Sequence, residues 1–234
     1  MGGGDAVDLS ELIASFRDLS GDHGVPAFWP DQTVKRFLNE GEREAAQRGK
    51  LLPDKTTPVV VDVPLVVGQT DYRLHPSIFD VVAVWLGRGG SDPRRCLLER
   101  ALEGDISHAQ NTQPGREGWA RDFDVYGEPG SMTLRLGRAP ADAGGTLRLE
   151  VYRYPLLDME DDSDEPEIAP RHHEGLVQWA LKRAYDTRDM EFSAPQRMVT
   201  AESEFTKLFG ERHDANVMRK KRRHRAPVVR QARF

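Results

Sequence analysis

The sequence predicts an α+β protein. Helices from the two ends of the chain should build one α-helical bundle, with an antiparallel β-sandwich or barrel-like domain inserted between them and an extended tail after them. Three observations predict this. Apolar residues recur at helical spacing near both ends, they alternate with polar residues through the middle, and the final stretch is densely basic. The division reads as 1–52 for the first helices, 53–157 for the β-rich insert and 158–167 for an acidic linker. Residues 168–214 then hold the last helices, and 215–234 a basic docking tail.

From Asp8 to Leu19, the residues Leu9, Leu12, Ile13, Phe16 and Leu19 share a helical stripe. Asp8 with Glu11 resembles a capping box, and Gly21 ends the helix. A second helix opens at Pro30-Asp31, because proline suits the first turn, and Gly49 terminates it. Val34, Phe37, Leu38 and Ala45 face one way. Gly41 falls on the same stripe, which indicates close helix contact.

The period then shortens. Thr57 to Val67 alternates as a strand, with Pro64 marking an edge or bulge. Gly68-Gln69-Thr70-Asp71 reads as a turn before Tyr72 and Leu74. Ile78 to Leu86 is apolar on both faces, as in a central strand covered twice. Arg94 to Leu102 reads as a further strand, and Gly87-Arg88-Gly89-Gly90 as a hairpin turn. The polar run from Ala101 to Ala120 is too long for a simple hairpin, which makes it a place for function. Phe123 and Val125, then Met132, Leu134 and Leu136, then Leu147, Leu149 and Val151 alternate as three more strands, the last two joined across Ala143-Gly144-Gly145. Pro170 opens a helix carrying Leu176, Val177, Ala180, Leu181, Ala184 and Tyr185. A last helix, near Ala194 to Phe209, is stopped by Gly210. The helix pairs at the two ends each have one apolar stripe to bury and should pack together.

Charge is unevenly spread. The net charge is −5, yet residues 215–234 hold eight Lys or Arg and no acid. The rest has 25 basic against 38 acidic residues, a balance of −13. Asp158 to Glu167 carries seven acids and no base. Dense like charge repels itself, so both stretches should be exposed or ordered only by a partner. The single cysteine, Cys96, excludes an intramolecular disulfide framework and a multi-cysteine metal site. The start of the chain does not read as a signal peptide, and the apolar run Val81–Leu86 is too short to cross a bilayer. A soluble protein made in a reducing cytoplasm is expected.

The sequence holds little that carries catalysis. It has no phosphate loop and no nucleophile elbow. His172-His173-Glu174 fails the paired-histidine zinc geometry and reads as polar residues at a helix start. Cys96 reads as a small buried strand residue rather than a nucleophile. Trp29, Trp85, Trp119 and Trp179 read as core or interface anchors. No enzyme, cofactor or metal is expected. The basic tail is the strongest binding signal. Arg219, Lys220, Lys221, Arg222, Arg223, Arg225, Arg230 and Arg233 can make charge-assisted bonds, while Val228, Val229 and Phe234 can fill pockets. The tail could instead grip nucleic acid through phosphates, but a body at −13 repels DNA, so protein docking stands ahead. A glycan-binding or hydrolytic role for the β-rich insert is a third reading.

The order of motifs adds to this. Trp29-Pro30-Asp31 opens a helix containing Asn39-Glu40 and Glu44-Ala45-Ala46, and Gly68-Gln69-Thr70-Asp71-Tyr72 leads to Leu74. Arg148-Leu149-Glu150-Val151-Tyr152-Arg153-Tyr154-Pro155 closes the strand region, Pro170-Arg171-His172-His173 opens a helix, and Asp214-Ala215-Asn216 leads into the basic tail. Across nearly the whole chain, this succession resembles the head–tail adaptor (connector) proteins of short-tailed bacteriophages, the tail tubular protein A-like adaptors. The resemblance implies a virion protein of the neck, made in the host cytoplasm. It implies a dodecameric ring below the portal protein that extends the channel for genomic DNA and its ejection. It also implies a platform for the tail nozzle protein and for tail fibre or tailspike proteins. By the same resemblance the C-terminal segment reaches the portal, so the eleven tail residues named above become portal-binding candidates.

Overall fold

The computed structural model describes residues 6–87, 95–101, 120–141, 144–186 and 194–212. It is a mixed α/β protein that divides into two units. The described residues of 1–53 and 152–212 form one, and those of 54–151 the other.

The first unit is helical. Helix α1 (Leu9–Ser20) starts at the expected capping box. The Asp8 side chain accepts the Glu11 N–H at 2.9 Å, and the Glu11 carboxylate accepts the Asp8 N–H at 3.2 Å. Gly21, at φ +77°, caps its end in the left-handed region. Leu9, Leu12 and Phe16 are buried as their spacing implies, but Leu19 is exposed, correcting its place on the stripe. Helix α2 (Asp31–Gly49) follows. Gly49 is its last helical residue, and the left-handed cap is Lys50 rather than the glycine. Helix α4 (Leu176–Tyr185) begins later than Pro170, which opens a 3-10 turn over Pro170–His172. Helix α5 (Pro195–Phe209) closes the described chain. Residues of all four helices bury one apolar cluster, including Phe16, Leu38, Trp179, Ala180 and Phe205. A fully buried Leu or Phe contributes about 2 kcal/mol. Gly41 sits where α2 meets α4: a Cβ there would lie 3.1 Å from Cβ of Trp179. The close helix contact expected at this glycine is present.

The second unit carries two sheets. Its first element corrects the expected strand at Thr57–Val67: Pro58–Val61 is a short helix, α3, and only Asp62–Pro64 is a strand. Pro58 stands in the first turn of α3, where its missing N–H costs nothing. Burial of the consecutive Val60 and Val61, with Val59 exposed, is a helical pattern that a run of valines disguises. One sheet joins β1 (Pro53–Asp54), β2 (Asp62–Pro64), β4 (Ile78–Gly87), β5 (Arg95–Leu97) and β9 (Thr146–Arg153). Strand β9 is its hub: β4 lies beside it, and β2 pairs with it antiparallel, Val63 opposite Leu147. The other sheet runs β3 (Asp71–Arg73), β8 (Thr133–Leu136), β7 (Asp122–Tyr126), β6 (Glu99–Arg100). Both sheets bury residues in one core, with Ile78, Val84 and Leu149 from the first and Tyr72, Phe123 and Leu134 from the second.

Several expectations change here. β8 and β9 belong to different sheets and are not hairpin partners. β6 pairs with β7 in parallel, so the insert is not purely antiparallel. A parallel neighbour cannot be joined by a tight hairpin, which agrees with the long separation in sequence between β6 and β7. β4 is central but not covered twice, since Val82 is 56% exposed. Cys96 lies in β5 as a strand residue, yet it is exposed rather than buried. Residues 88–94, with most of the expected Gly87–Gly90 turn, Trp119 with the 102–119 part of the long loop, and Ala143 lie outside the described residues.

The turn motif before Tyr72 has a clear physical role. Gly68 takes φ +78°. The Tyr72 hydroxyl donates to the Gln69 carbonyl at 2.9 Å and accepts the Val66 N–H at 3.2 Å, so it staples the loop that precedes its own strand. Asp71 then holds Arg135 of β8 at 2.7 Å and the Tyr126 hydroxyl of β7 at 2.8 Å, linking three strands.

The acidic stretch is ordered by its own chain rather than by a partner. Most of its carboxylates are exposed, but its backbone is strapped to the helices. The carbonyls of Asp164 and Asp162 accept the N–H groups of Leu9 and Ser10, at 2.8 and 3.0 Å. These are first-turn donors with no partner inside α1, and the positive end of a helix favours acids around it. On α2, Asn39 exchanges two hydrogen bonds with the Met159 backbone, at 2.9 and 3.1 Å. Arg43 holds Asp158 at 2.8 Å.

The Gly41 contact gives a test. A valine must displace Trp179, and overfilling a packed contact costs about 1–3 kcal/mol. Gly41→Val should lower the urea unfolding free energy by that amount, whereas an unchanged midpoint would show that α2 and α4 do not approach here.

Candidate functional site

The candidate portal-binding residues Arg219, Lys220, Lys221, Arg222, Arg223, Arg225, Val228, Val229, Arg230, Arg233 and Phe234 all lie outside the described residues. The described chain ends at Arg212, and what it defines is the root from which that arm leaves. The root is built around one guanidinium. Arg48, in the last turn of α2, is buried. Its Nε donates to Glu44 at 2.9 Å, one turn back on the same helix face. Its terminal nitrogens reach α5 and the residue after it. One donates to the Thr206 hydroxyl at 3.1 Å and the Gly210 carbonyl at 3.4 Å, and the other to Glu202 at 2.9 Å.

The guanidinium also lies over two rings, its carbon 5.5 Å from the Trp179 centroid and 5.1 Å from that of Phe205. Lys182 of α4 pairs with the other Glu202 oxygen and sits 4.1 Å from the Trp179 centroid. Arg212 comes back to Glu44 at 3.3 Å. Three helices and the outgoing chain thus meet at one charge cluster. Burial opposes the charge on Glu202, but hydrogen bonds from Lys182 and Arg48, with their positive charge, outweigh it and hold its carboxyl below the ordinary value. The arrangement fixes the point and direction at which the chain passes Gly210. The Thr206 hydroxyl also donates to Glu202 at 3.4 Å, so the cluster ties α2 to α5 at several points.

Sequence reasoning did not single out Arg48, Glu202 or Lys182. A weak signal existed, since Glu44 with Arg48 and Glu202 with Thr206 are i,i+4 pairs on otherwise apolar faces. The histidine pair is also more than polar filling. His173 is 1% exposed, and its Nδ1 accepts the Val7 N–H at 3.1 Å. His172 stays half-buried against the Phe209 ring, and burial, then Arg171 and His173, push its pKa down. Trp29 and Trp179 belong to the helical core. Among the described residues, no group of three or more His, Cys, Asp or Glu is placed to hold a metal ion, and no helix is long and apolar enough to cross a membrane.

Removing one member of a buried ion cluster leaves the others without compensation, at a cost of about 3 kcal/mol. Arg48→Met should therefore destabilise the protein by about that much at neutral pH in urea unfolding. A carboxyl held below its ordinary value of 4.5 stabilises the fold above that pH, and the contribution is lost as pH falls through the lowered value. The gap between wild type and variant should accordingly narrow in acid. A gap that stays constant with pH would contradict this role for Arg48 and Glu202.

The sequence matches the family model described as SU10 adaptor protein over residues 7–231. A comparison with curated proteins found no match. The match takes in the described residues of both units from Val7 onward and most of the basic tail sequence. The chain belongs to the SU10 adaptor protein family, a family of phage head–tail adaptors.

Proposed function

We propose that this adaptor is a non-enzymatic ring subunit that sits below the portal protein and continues the DNA channel toward the tail. The helical unit acts as a bundle that forms the rigid wedge of the ring. The strand-built unit is an inserted sandwich-like platform for the nozzle and for fibre or tailspike proteins. The basic arm, from Arg219 to Phe234, docks on the portal through charge-assisted bonds from its arginines and lysines and through Val228, Val229 and Phe234 in pockets.

The observation that carries this reading is the Arg48 cluster. An arm used for docking needs a fixed root, and buried ion pairs are placed at the last described turn before the basic run. A modest docking energy per arm is multiplied around a closed ring. A heterologous interface that closes on itself gives a ring rather than a fibre. A body at −13 suits a conduit, because negative walls do not retain DNA by its phosphates.

Deletion of residues 219–234 tests the reading. In co-sedimentation with the cognate portal, the truncated protein should fail to attach while keeping the far-ultraviolet circular dichroism and melting temperature of the full chain. Undiminished attachment would rule the arm out. A salt-sensitive DNA shift by the full chain, lost on truncation and paired with no portal binding, would instead favour a nucleic-acid-binding role.

A further inference from the structure

Two buried titratable side chains in the helical unit lie outside the Arg48 cluster. Glu42 is 2% and His173 1% exposed. Both hold the same residue, Ile168, at the inner end of the acidic stretch. Glu42 Oε1 accepts the Ile168 N–H at 3.2 Å and the Glu167 N–H at 2.6 Å. His173 Nε2 donates to the Ile168 carbonyl at 2.9 Å, its other nitrogen being the acceptor for Val7. The Ile168 side chain is itself buried in the helical core.

The charged groups around Glu42 can be followed element by element. On its own helix, Arg43 is paired with Asp158, and Asn39 is engaged with Met159. The acidic stretch brings the Asp158 and Glu167 carboxylates. From β9, Arg153 makes a two-pronged pair with Glu167. The turn before α4 brings His173. Among the described residues, no cation is paired with Glu42 itself.

We propose that residues 158–168 form a proton-operated strap, seated on α1 and α2 while the Glu42 carboxyl is protonated and loosened when that proton is lost. Ionisation places an unpaired charge in a buried position beside Asp158 and Glu167. Loosening would take the Asp162 and Asp164 carbonyls away from Leu9 and Ser10, so the strap and the first turn of α1 open together.

The electrostatics run the same way. Burial raises the Glu42 pKa, the two N–H donors oppose it, and the Glu167 and Asp158 charges add to the rise, bringing it to about 7. A carboxyl whose seated pKa is raised holds its proton more tightly seated than open. The seat therefore weakens as pH climbs from the ordinary value of 4.5 to about 7, and weakens no further above that.

Hydrogen exchange on the full chain tests this at about pH 6 and about pH 8.5, with rates corrected for intrinsic exchange. Wild-type protection at residues 158–168 and in the first turn of α1 should fall about tenfold between the two, while α5 keeps its protection. Glu42→Gln retains the accepting oxygen and cannot ionise, so its strap should be equally protected at both. Equal wild-type protection at both pH values would overturn the proposal, as would a loss in Glu42→Gln as large as in wild type. Should that variant not fold, carbon-13 carboxyl titration of wild-type Glu42 decides. A midpoint near 7 supports the strap, and one near 4.5 overturns it.

Discussion

The close approach of α2 to α4 is the constraint on which the helical unit depends. Gly41 leaves room for Trp179, and that contact lets an early helix and a late one share a core. Because the core needs stripes from both ends of the chain, everything between Asp54 and Val151 must leave and return. The long strand β9 carries the return. It is the hub of its sheet and runs on to Arg153, whose N–H bonds the Leu52 carbonyl at 3.1 Å.

Charge is placed with a division of labour. The acidic stretch has a structural use, because its backbone carbonyls satisfy first-turn donors of α1. The Arg48 cluster ties the chain after α5 to α2 through Glu44, Glu202, Thr206 and Gly210. Glu42 is buried, accepts the Glu167 and Ile168 N–H groups, and has no paired cation among the described residues. A net charge of −5 reveals none of this, since the effects come from position rather than sum.

What was legible in the sequence was local. The Asp8–Glu11 box, the Gly21 cap, the Gly41 contact and the turn before Tyr72 each depend on residues a few positions apart or on one missing side chain. What was not legible depended on distant partners. A run of valines fits a strand and a short buried helix equally, and only the first-turn proline tips Pro58–Val61 to helix. The parallel pairing of β6 with β7 is a matter of topology, which spacing does not encode. Arg48, Glu202, Glu42 and His173 look like ordinary surface residues until helices from both ends meet around them. The basic and apolar tail residues proposed for docking stand out by composition, their portal partner comes only from the family resemblance, and the structure contributes the Arg48 cluster before them.

Under the proposed reading, one chain faces two partners, the portal through its basic arm and the tail proteins through its strand-built unit. The most direct test is cryo-electron microscopy of the full chain mixed with its cognate portal. The account predicts a closed ring against the portal, with the segment after Arg212 running from the Arg48 cluster into portal density. A protein that stays apart from the portal, or a ring that meets it only through the strand-built unit, would contradict it.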